Sequence, residues 1–205
     1  MFTDPAWLAP ALVLLLGYLL GSTPFGILLT RAFGAGDLRQ IGSGNIGATN
    51  VLRTGRKGLA AATLVLDLLK GFAAVTLAPL LGGDPESQMR IAAAAAFIGH
   101  CYPIWLKLDG GKGVATLGGI AFGFGWVFGG IYAVTWLGIL AILRWSSVAG
   151  LCAASAMPVV ALVRGETFTF ILFLALALIV FWKHRSNIAR LIRGEEPKVG
   201  GAKGG

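Results

Sequence analysis

Charged residues are scarce in this chain of 205 residues, at 13% of the total, and only 9 residues are acidic. Soluble domains carry about 25% charged residues, so this chain has too few polar side chains to cover a water-facing surface. The scarcity excludes an ordinary cytosolic domain, a disordered chain and a nucleic-acid-binding module. Because 56% of the residues are hydrophobic, we predict an integral membrane protein with short water-facing segments.

Cysteine and histidine are also rare, with 2 of each. Cys101 and Cys152 lie far apart in apolar surroundings, which indicates packing roles and neither a disulfide nor a metal site. His100 is a lone histidine beside Cys101, and carboxylates are few. We therefore expect no metal and no cofactor.

Long apolar runs dominate the sequence, and a membrane-spanning helix needs about 20 such residues. The runs do not alternate as the strands of a membrane barrel do, so they predict an all-α bundle. Polar and helix-bending residues at 21–26 interrupt the first run. The runs cover approximately 6–30, 58–81, 89–106, 113–143, 146–163 and 167–182.

Basic residues give the chain a net charge of +8, and they decide how often 113–143 crosses the membrane. If it crosses twice, every basic residue except Lys70, Arg90 and Arg164 falls on one side, as the tendency of cytoplasmic loops to collect Lys and Arg requires. We predict seven transmembrane helices, with the N-terminus outside and the C-terminus in the cytoplasm. Residues 1–193 are expected to form a single transmembrane domain, and 194–205 a disordered cytoplasmic tail.

The first of three polar clusters reads GSGNIGATNVLR and ends at Arg53. Its glycines allow successive backbone N–H groups to form a concavity that suits an anion, and the planar guanidinium of Arg53 matches phosphate oxygens. The spacing of its glycines also fits the dinucleotide fingerprint, but that motif must follow a strand, and an apolar span precedes it here. Neutral polar groups come from Ser43, Asn45, Thr49 and Asn50.

The second polar cluster reads DGGKGVAT, and Lys112 lies in it between Gly111 and Gly113. A lysine at the start of a helix, where N–H groups and the helix dipole favour anions, can bind phosphate. The alternative is that Lys112 is only an orientation charge. Because Gly113 stands where a P-loop has Ser or Thr, the cluster does not support nucleotide hydrolysis.

The third polar cluster follows the last apolar run. At helical spacing His184 and Asn187 share a face and Arg185 points away. His184 can bind phosphate, act as a general base or lie at the membrane boundary as an interfacial residue, and its spacing leaves these roles open. Within an apolar run, Asp67 and Lys70 stand three residues apart, so we predict a structural ion pair.

Taken together, the clusters resemble the PlsY family, the acyl-phosphate-dependent glycerol-3-phosphate acyltransferases of bacterial membranes. The resemblance covers approximately residues 18–193 and rests on motifs that occur in the family's order: GSGNIGATNVLR, LDLLKG, GH-x-YP, GGKGVAT and HRSNIARL. It implies a seven-helix enzyme that transfers a fatty acyl group from acyl phosphate to the 1-hydroxyl of sn-glycerol 3-phosphate. The products would be lysophosphatidic acid and phosphate, in the first step of phospholipid synthesis.

The resemblance also implies a multi-pass protein of the bacterial inner membrane, surrounded by lipids, with its active site facing the cytoplasm. A functional link to a soluble acyl-phosphate synthase follows from the family, and no nucleic acid is expected as a partner. By motif, the residues that hold the substrate phosphates correspond to Ser43, Arg53, Lys112, His184 and Asn187. The surrounding loop backbones correspond to Asn45, Thr49, Asn50, Gly111 and Gly113.

Arg53, Lys112 and His184 are the expected catalytic residues of this set. The two cations would offset charge on the departing phosphate, and His184 or a substrate phosphate oxygen would take the proton of the acceptor hydroxyl. The sequence departs from the family at the sixth span, where members often show two serines three residues apart. Ser147 is present as an expected substrate contact, but Gly150 takes the second place.

Two other classes of membrane protein are also compatible with a strongly basic composition. A phosphate or organophosphate transporter fits the charge, but no inverted repeat is visible in the sequence. A CDP-alcohol phosphotransferase needs several aspartates around metal ions, and the apolar runs contain only Asp67. The H-x₄-D motif of the other glycerol-phosphate acyltransferases is missing, because Trp105 follows His100 at that spacing and Ala189 follows His184.

Overall fold

The computed structural model describes residues 6–200, and every regular element among them is helical. Short 3₁₀ turns lie at Leu38–Gln40, Ala78–Leu81 and Ile104–Leu106. The all-α prediction is therefore confirmed for the described residues. The α-helices are α1 (Leu8–Gly21), α2 (Phe25–Ala32), α3 (Ala48–Leu52), α4 (Lys57–Leu77), α5 (Pro85–Cys101), α6 (Val114–Phe124), α7 (Trp126–Leu143), α8 (Ser146–Val163), α9 (Thr167–Lys183) and α10 (Arg185–Ile192).

The described residues divide into two compact units, which we call the first unit (6–129) and the second unit (130–200). The boundary falls inside α7. The first unit contains α1 to α6 with the first two polar clusters, and the second contains α8 to α10 with the third cluster.

Five helical segments in the described part of the chain are long and apolar enough to cross a membrane, and the bent pair of α9 and α10 makes a sixth. The uncharged stretch 113–143 does divide into two helices, as expected. However, α6 has only 11 residues, which at about 1.5 Å per residue is far short of a hydrocarbon core about 30 Å thick. By length and composition the structure thus supports five or six spans, and the number seven and the orientation remain predictions.

Small residues bring the helices of the first unit close together. α4 packs against α6, and a Cβ on Gly119 would collide with the carbonyl of Leu68. α1 packs against α5, and there Gly21 leaves no room for a Cβ beside the backbone of Ala96. Such approach is typical of membrane helices, where packing and not water exclusion holds helices together. Not every glycine of 113–143 lies at such a contact, since a Cβ on Gly130 would meet only open space.

The interruption predicted in the first apolar run lies between α1 and α2, at residues 22–24. The carbonyl of Ser22, at this break, accepts a hydrogen bond from Trp105 Nε1 at 2.9 Å. One turn earlier, the hydroxyl of Tyr18 donates to the carbonyl of Tyr102 at 2.9 Å and accepts from the N–H of Ile104 at the same distance. The segment that leads from α5 towards α6 is therefore held against α1 and the break.

The tail of the second unit lies against the turn between α7 and α8. The Arg144 guanidinium donates to the carbonyl of Val199, whose N–H donates to the backbone carbonyl of Arg144 at 2.8 Å. Trp145 Nε1 donates to the carbonyl of Glu196 at 3.0 Å. Lys198 Nζ lies 5.1 Å from the centre of the Trp145 ring. Within the tail for which the sequence predicts disorder, Glu196, Lys198 and Val199 thus contact Arg144 and Trp145, and the disorder itself stays a prediction. The last residues of that predicted tail, 201–205, lie outside the described residues.

Candidate active site

The side chain of Asn50 organises the first polar cluster. Its Nδ2 donates to the carbonyls of Leu38 and Ile41 at 2.9 and 2.8 Å, and its Oδ1 accepts from the N–H of Ser43 and from Arg53, both at 3.2 Å. Asn50 itself is 1% exposed. A single buried amide therefore uses both of its donors and both acceptor positions to close residues 38–53 into one loop.

Arg53 and Ser43 are exposed and are brought together by the Asn50 amide. Gly42 lies between them in space, with a φ of +56°. A Cβ at this position would lie 2.7 Å from Arg53 Cδ, so only glycine both adopts the left-handed conformation and leaves room for the arginine. Thr49 is exposed and Asn45 half-buried in the same loop.

The expected backbone concavity is only partly available for an anion. The N–H of Ser43 donates to Asn50 Oδ1, and the N–H of Gly44 donates to the carbonyl of Ile41 at 3.0 Å. For the N–H of Ser43, the amide oxygen of Asn50 occupies the position in which the sequence predicts a bound anion. These two N–H groups are therefore engaged within the loop, and anion binding by the exposed Arg53 guanidinium stays a prediction.

The second polar cluster forms the turn between α5 and α6. The N–H of Gly111 donates to the carbonyl of His100 at 3.0 Å, and Gly113 turns the chain into α6 with a φ of +83°. Lys112 therefore stands directly before the first turn of α6, as the sequence predicted. The N–H groups of a first helical turn have no carbonyl partner four residues earlier, which favours an anion near Lys112.

Asp67 and Lys70 lie on one face of α4 in the first unit. Their charged atoms are 2.7 Å apart, and both residues are 3% exposed. Lys70 also donates to the carbonyl of Thr23 at 2.8 Å. The predicted pairing geometry is therefore present, with a backbone oxygen as additional partner.

His184 lies at the bend of 59° between α9 and α10 in the second unit and is 3% exposed. Its Nδ1 is 2.8 Å from the carbonyl oxygen of Val180. A carbonyl can only accept, so this contact assigns the proton of the neutral imidazole to Nδ1 and makes Nε2 its basic nitrogen. The geometry suits a general base whose ring is held in one orientation.

Asn187 and Ser147 are brought together by a residue that the sequence did not single out, Glu196. The carboxylate of Glu196 accepts from Asn187 Nδ2 at 2.6 Å and from the Ser147 hydroxyl at 2.7 Å. Arg190 completes the arrangement with an ion pair of 2.8 Å. The shared face of His184 and Asn187 is as predicted, since both are buried and Arg185 is exposed.

The surroundings of Glu196 favour its ionised form although its side chain is only 5% exposed. Burial alone would raise the pKa of Glu196, but hydrogen bonds from Asn187, Ser147 and Arg190 outweigh it and hold the pKa below its ordinary value. The signal available in the sequence was a pair of acidic residues in an otherwise basic tail, directly after the third cluster. Among residues 6–200, no group of three His, Cys, Asp or Glu side chains is placed to hold a metal ion.

Solved structures with the same fold identify the class of this protein. The chain matches the crystal structure of PlsY (YgiH), an integral membrane glycerol 3-phosphate acyltransferase, in its glycerol 3-phosphate form. The TM-score is 0.87 at 33% sequence identity, over 93% of this chain and 96% of that one. The lysophosphatidic acid form of the same protein matches with a TM-score of 0.84 at 32% identity, over 92% and 94% of the two chains. The fold and the site thus define a helical membrane acyltransferase.

Sequence comparison specifies the family. The family model for glycerol-3-phosphate acyltransferase matches residues 11–194. The glycerol-3-phosphate acyltransferase of Erythrobacter litoralis is 54% identical over 94% of this chain and 96% of its own length, and that of Mesorhizobium japonicum is 54% identical over 94% and 97%. The chain belongs to the glycerol-3-phosphate acyltransferase family, which confirms the resemblance found in the sequence.

Proposed function

We propose that this protein transfers a fatty acyl group from acyl phosphate to the 1-hydroxyl of sn-glycerol 3-phosphate. The observation that carries the proposal is the pair of glycine-rich loops in the first unit, in which Arg53 and Lys112 lie among glycines and neutral polar groups. Two cations suit a reaction in which donor and acceptor each carry a phosphoryl group. The relatives' bound forms, with glycerol 3-phosphate and with lysophosphatidic acid, are consistent with the acceptor and the product.

The bond that forms joins the acceptor oxygen to the acyl carbonyl carbon, and the bond that breaks joins that carbon to the phosphate oxygen. Phosphate leaves with the electron pair, and Arg53 or Lys112 stabilises the charge that develops on it. His184 Nε2 or a phosphate oxygen takes the hydroxyl proton. Because an acyl phosphate is already activated, positioning the two substrates supplies much of the acceleration.

The donor is tested by supplying purified protein with labelled glycerol 3-phosphate and either palmitoyl phosphate or palmitoyl-CoA. We expect labelled lysophosphatidic acid with the acyl phosphate alone. Equal or exclusive use of the thioester would remove the donor assignment. We also propose a functional link to a soluble acyl-phosphate synthase, because an enzyme that consumes so reactive an anhydride needs a source of it.

We also propose seven membrane crossings in a bacterial inner membrane, with both glycine-rich loops on the cytoplasmic side. The distribution of basic residues supports this orientation. Ser43→Cys and Ser87→Cys variants test it, because Ser43 lies in the first loop and Ser87 in the first turn of α5. An impermeant thiol reagent added outside intact cells should label position 87 and leave position 43 unlabelled, and the reverse pattern would invert the topology.

A further inference from the structure

A buried polar cluster lies next to the Lys112 loop in the first unit. It consists of Asp67 and Lys70 on α4 and His100 on α5, none more than 4% exposed. Ionisable groups inside an apolar helix bundle are costly, and Asp67 and Lys70 already form a pair. The position of His100 therefore requires an explanation beyond charge neutralisation.

The imidazole of His100 fills the space directly beside Gly111. A Cβ on Gly111 would collide with this ring, and its nearest atom would be Nε2. Two backbone carbonyls in the last turn of α5 also accept hydrogen bonds from the loop. The N–H of Gly111 donates to the carbonyl of His100 at 3.0 Å, and the N–H of Gly110 donates to the carbonyl of Cys101 at 3.2 Å. The loop is thus supported by the last turn of α5 through both side chain and backbone.

Phe97 supports the other side of Lys112. It lies three residues before His100, on the same face of α5, and is fully buried. Its ring occupies the space that a Cβ on Gly113 would need. Lys112 therefore stands between two glycines, each of which is packed against one side chain of α5.

The opposite edge of the His100 ring faces the ion pair. His100 Nδ1 lies 3.7 Å from Asp67 Oδ1, which is 2.7 Å from Lys70 Nζ. Lys70 donates to the carbonyl of Thr23, in the break between α1 and α2. The Lys112 loop is therefore linked to the start of α2 by packing of Gly111 on the His100 ring, by the proximity of that ring to the Asp67–Lys70 pair and by the hydrogen bond of Lys70 to Thr23.

α2 extends this support to the loop that carries Arg53. Gly26, in its first turn, lies so close to the carbonyl of Ile46 that a Cβ would not fit. Ile46 is at the centre of the first polar cluster and is 4% exposed. The buried cluster therefore adjoins the Lys112 loop directly. It also contacts the break from which α2 starts, and α2 packs against the loop that carries Arg53.

We propose that His100 is a positioning residue that holds Lys112 in place for phosphate binding, and that Asp67 and Lys70 hold His100. The inference rests on the proposed role of Lys112 in binding a substrate phosphate. A displacement of about 1 Å in a binding group can cost on the order of 100-fold in rate, so a ring that sets the position of Gly111 has a large effect on activity without touching substrate.

The test uses the full-length protein in detergent with four single variants. His100→Ala removes the ring, His100→Gln keeps a polar group near the Nε2 position facing Gly111, and His100→Asn keeps one near the Nδ1 position facing Asp67. Gln88→Ala is the matched control, since Gln88 is a buried polar residue of α5, 2% exposed, at the end of the helix remote from the loop.

We expect His100→Ala to raise the KM for glycerol 3-phosphate or palmitoyl phosphate about tenfold, with a smaller change in kcat. His100→Gln should recover most of the loss and His100→Asn less, because contact with Gly111 positions the loop. Gln88→Ala should leave both KM values near those of the parent. Unchanged KM values in His100→Ala, or equal effects in His100→Ala and Gln88→Ala, would overturn the proposal.

Hydrogen exchange separates this proposal from the proposed function. In His100→Ala, and not in Gln88→Ala, the amides of residues 110–116 should exchange faster without any substrate present. Unchanged exchange of these amides would overturn the positioning role whichever donor the enzyme uses. If the parent protein fails to use palmitoyl phosphate but the exchange difference is found, the donor assignment fails and the positioning role stands.

A double substitution examines the contact itself. Gly111→Ala should impair the enzyme because its Cβ meets the His100 ring. The combination of Gly111→Ala with His100→Ala should be no worse than His100→Ala alone, since the ring that causes the collision is gone. Strictly additive losses would show that the two positions act independently and would contradict the proposal.

Discussion

The two units build their polar sites by different means. In the first unit, Asn50 closes a continuous loop with its own side-chain amide, so the partners of the site are all supplied from residues 38–53. In the second unit, Ser147 and Asn187 come from different helices and meet at the carboxylate of Glu196, which the tail supplies. The first site therefore depends on local sequence and the second on docking of a remote residue.

This contrast has a consequence for pH. An amide does not titrate in the physiological range, so the Asn50 contacts are present at every pH at which the protein folds. Protonation of the Glu196 carboxylate occupies one acceptor position and removes the charge that strengthens its bonds to Ser147, Asn187 and Arg190. The second site is therefore the one whose geometry depends on proton concentration.

The largest effect is expected from Asn50→Asp. The substitution replaces the Nδ2 donor by an oxygen that faces the carbonyls of Leu38 and Ile41, whereas Asn50→Ala merely leaves them without a donor. A buried group without its partner costs about 1–3 kcal/mol, and repulsion adds to this. We expect Asn50→Asp to lower turnover about 100-fold and the melting temperature more than Asn50→Ala does.

Parallel activity assays and thermal unfolding of the two Asn50 variants measure this difference. Equal damage by Asp and Ala would show that loss of the amide, and not the direction of its donors, controls the loop.

The next largest effect is expected from His184→Ala in the second unit. A positioned base contributes about 10²–10⁴-fold, and a substrate oxygen can take over part of this role, so turnover should fall at least about tenfold. Arg185→Ala is the control, since Arg185 is exposed and stacks on Trp182 at 4.9 Å. Near-normal turnover of His184→Ala would exclude the base role.

A smaller effect is expected when Glu196 is protonated. Because the pKa of Glu196 is lowered in the folded protein from an ordinary value of 4.5, its ionised form stabilises the second site fully above that value. The stabilisation is lost as the pH falls through the lower, folded-state pKa. Hydrogen exchange of residues 144–147, corrected for its intrinsic pH dependence, should therefore increase in acid.

Residues 38–53 are the internal reference for that measurement, and a Glu196→Gln variant should show no such acid-dependent increase. An equal increase in both regions would mean that general unfolding, and not Glu196, is responsible.

The smallest effect is expected from Ser147→Ala. The serine hydroxyl is one of three donors to Glu196, and the other two remain, so the loss is that of one hydrogen bond, about 1 kcal/mol. We expect a small decrease in melting temperature and a KM about twofold higher. A loss of activity as large as that of His184→Ala would instead indicate that Ser147 contacts substrate directly.

Local patterns were sufficient for the features that depend on neighbouring residues. Turn chemistry accounts for the break after α1 and for the position of Lys112 before α6. Helical period accounts for the ion-pair spacing of Asp67 and Lys70 and for the shared face of His184 and Asn187. The length of α6 did not follow, because Gly125 ends the helix through a backbone conformation at a φ of +131° that composition does not reveal.

The sequence by itself determined an all-helical, membrane-compatible chain with three polar clusters, because hydrophobic length, charge distribution and helical period are local properties. Only the tertiary structure decided that Asn50 consumes the N–H groups expected to bind an anion, that His100 packs on Gly111, and that Glu196 joins Ser147 to Asn187. Each of these is a contact between residues distant in the chain or turned inward by a loop. The Asn50 contacts depend on how residues 38–53 fold back on themselves, and the other two depend on which elements pack together. Neither arrangement follows from residue type or helical period.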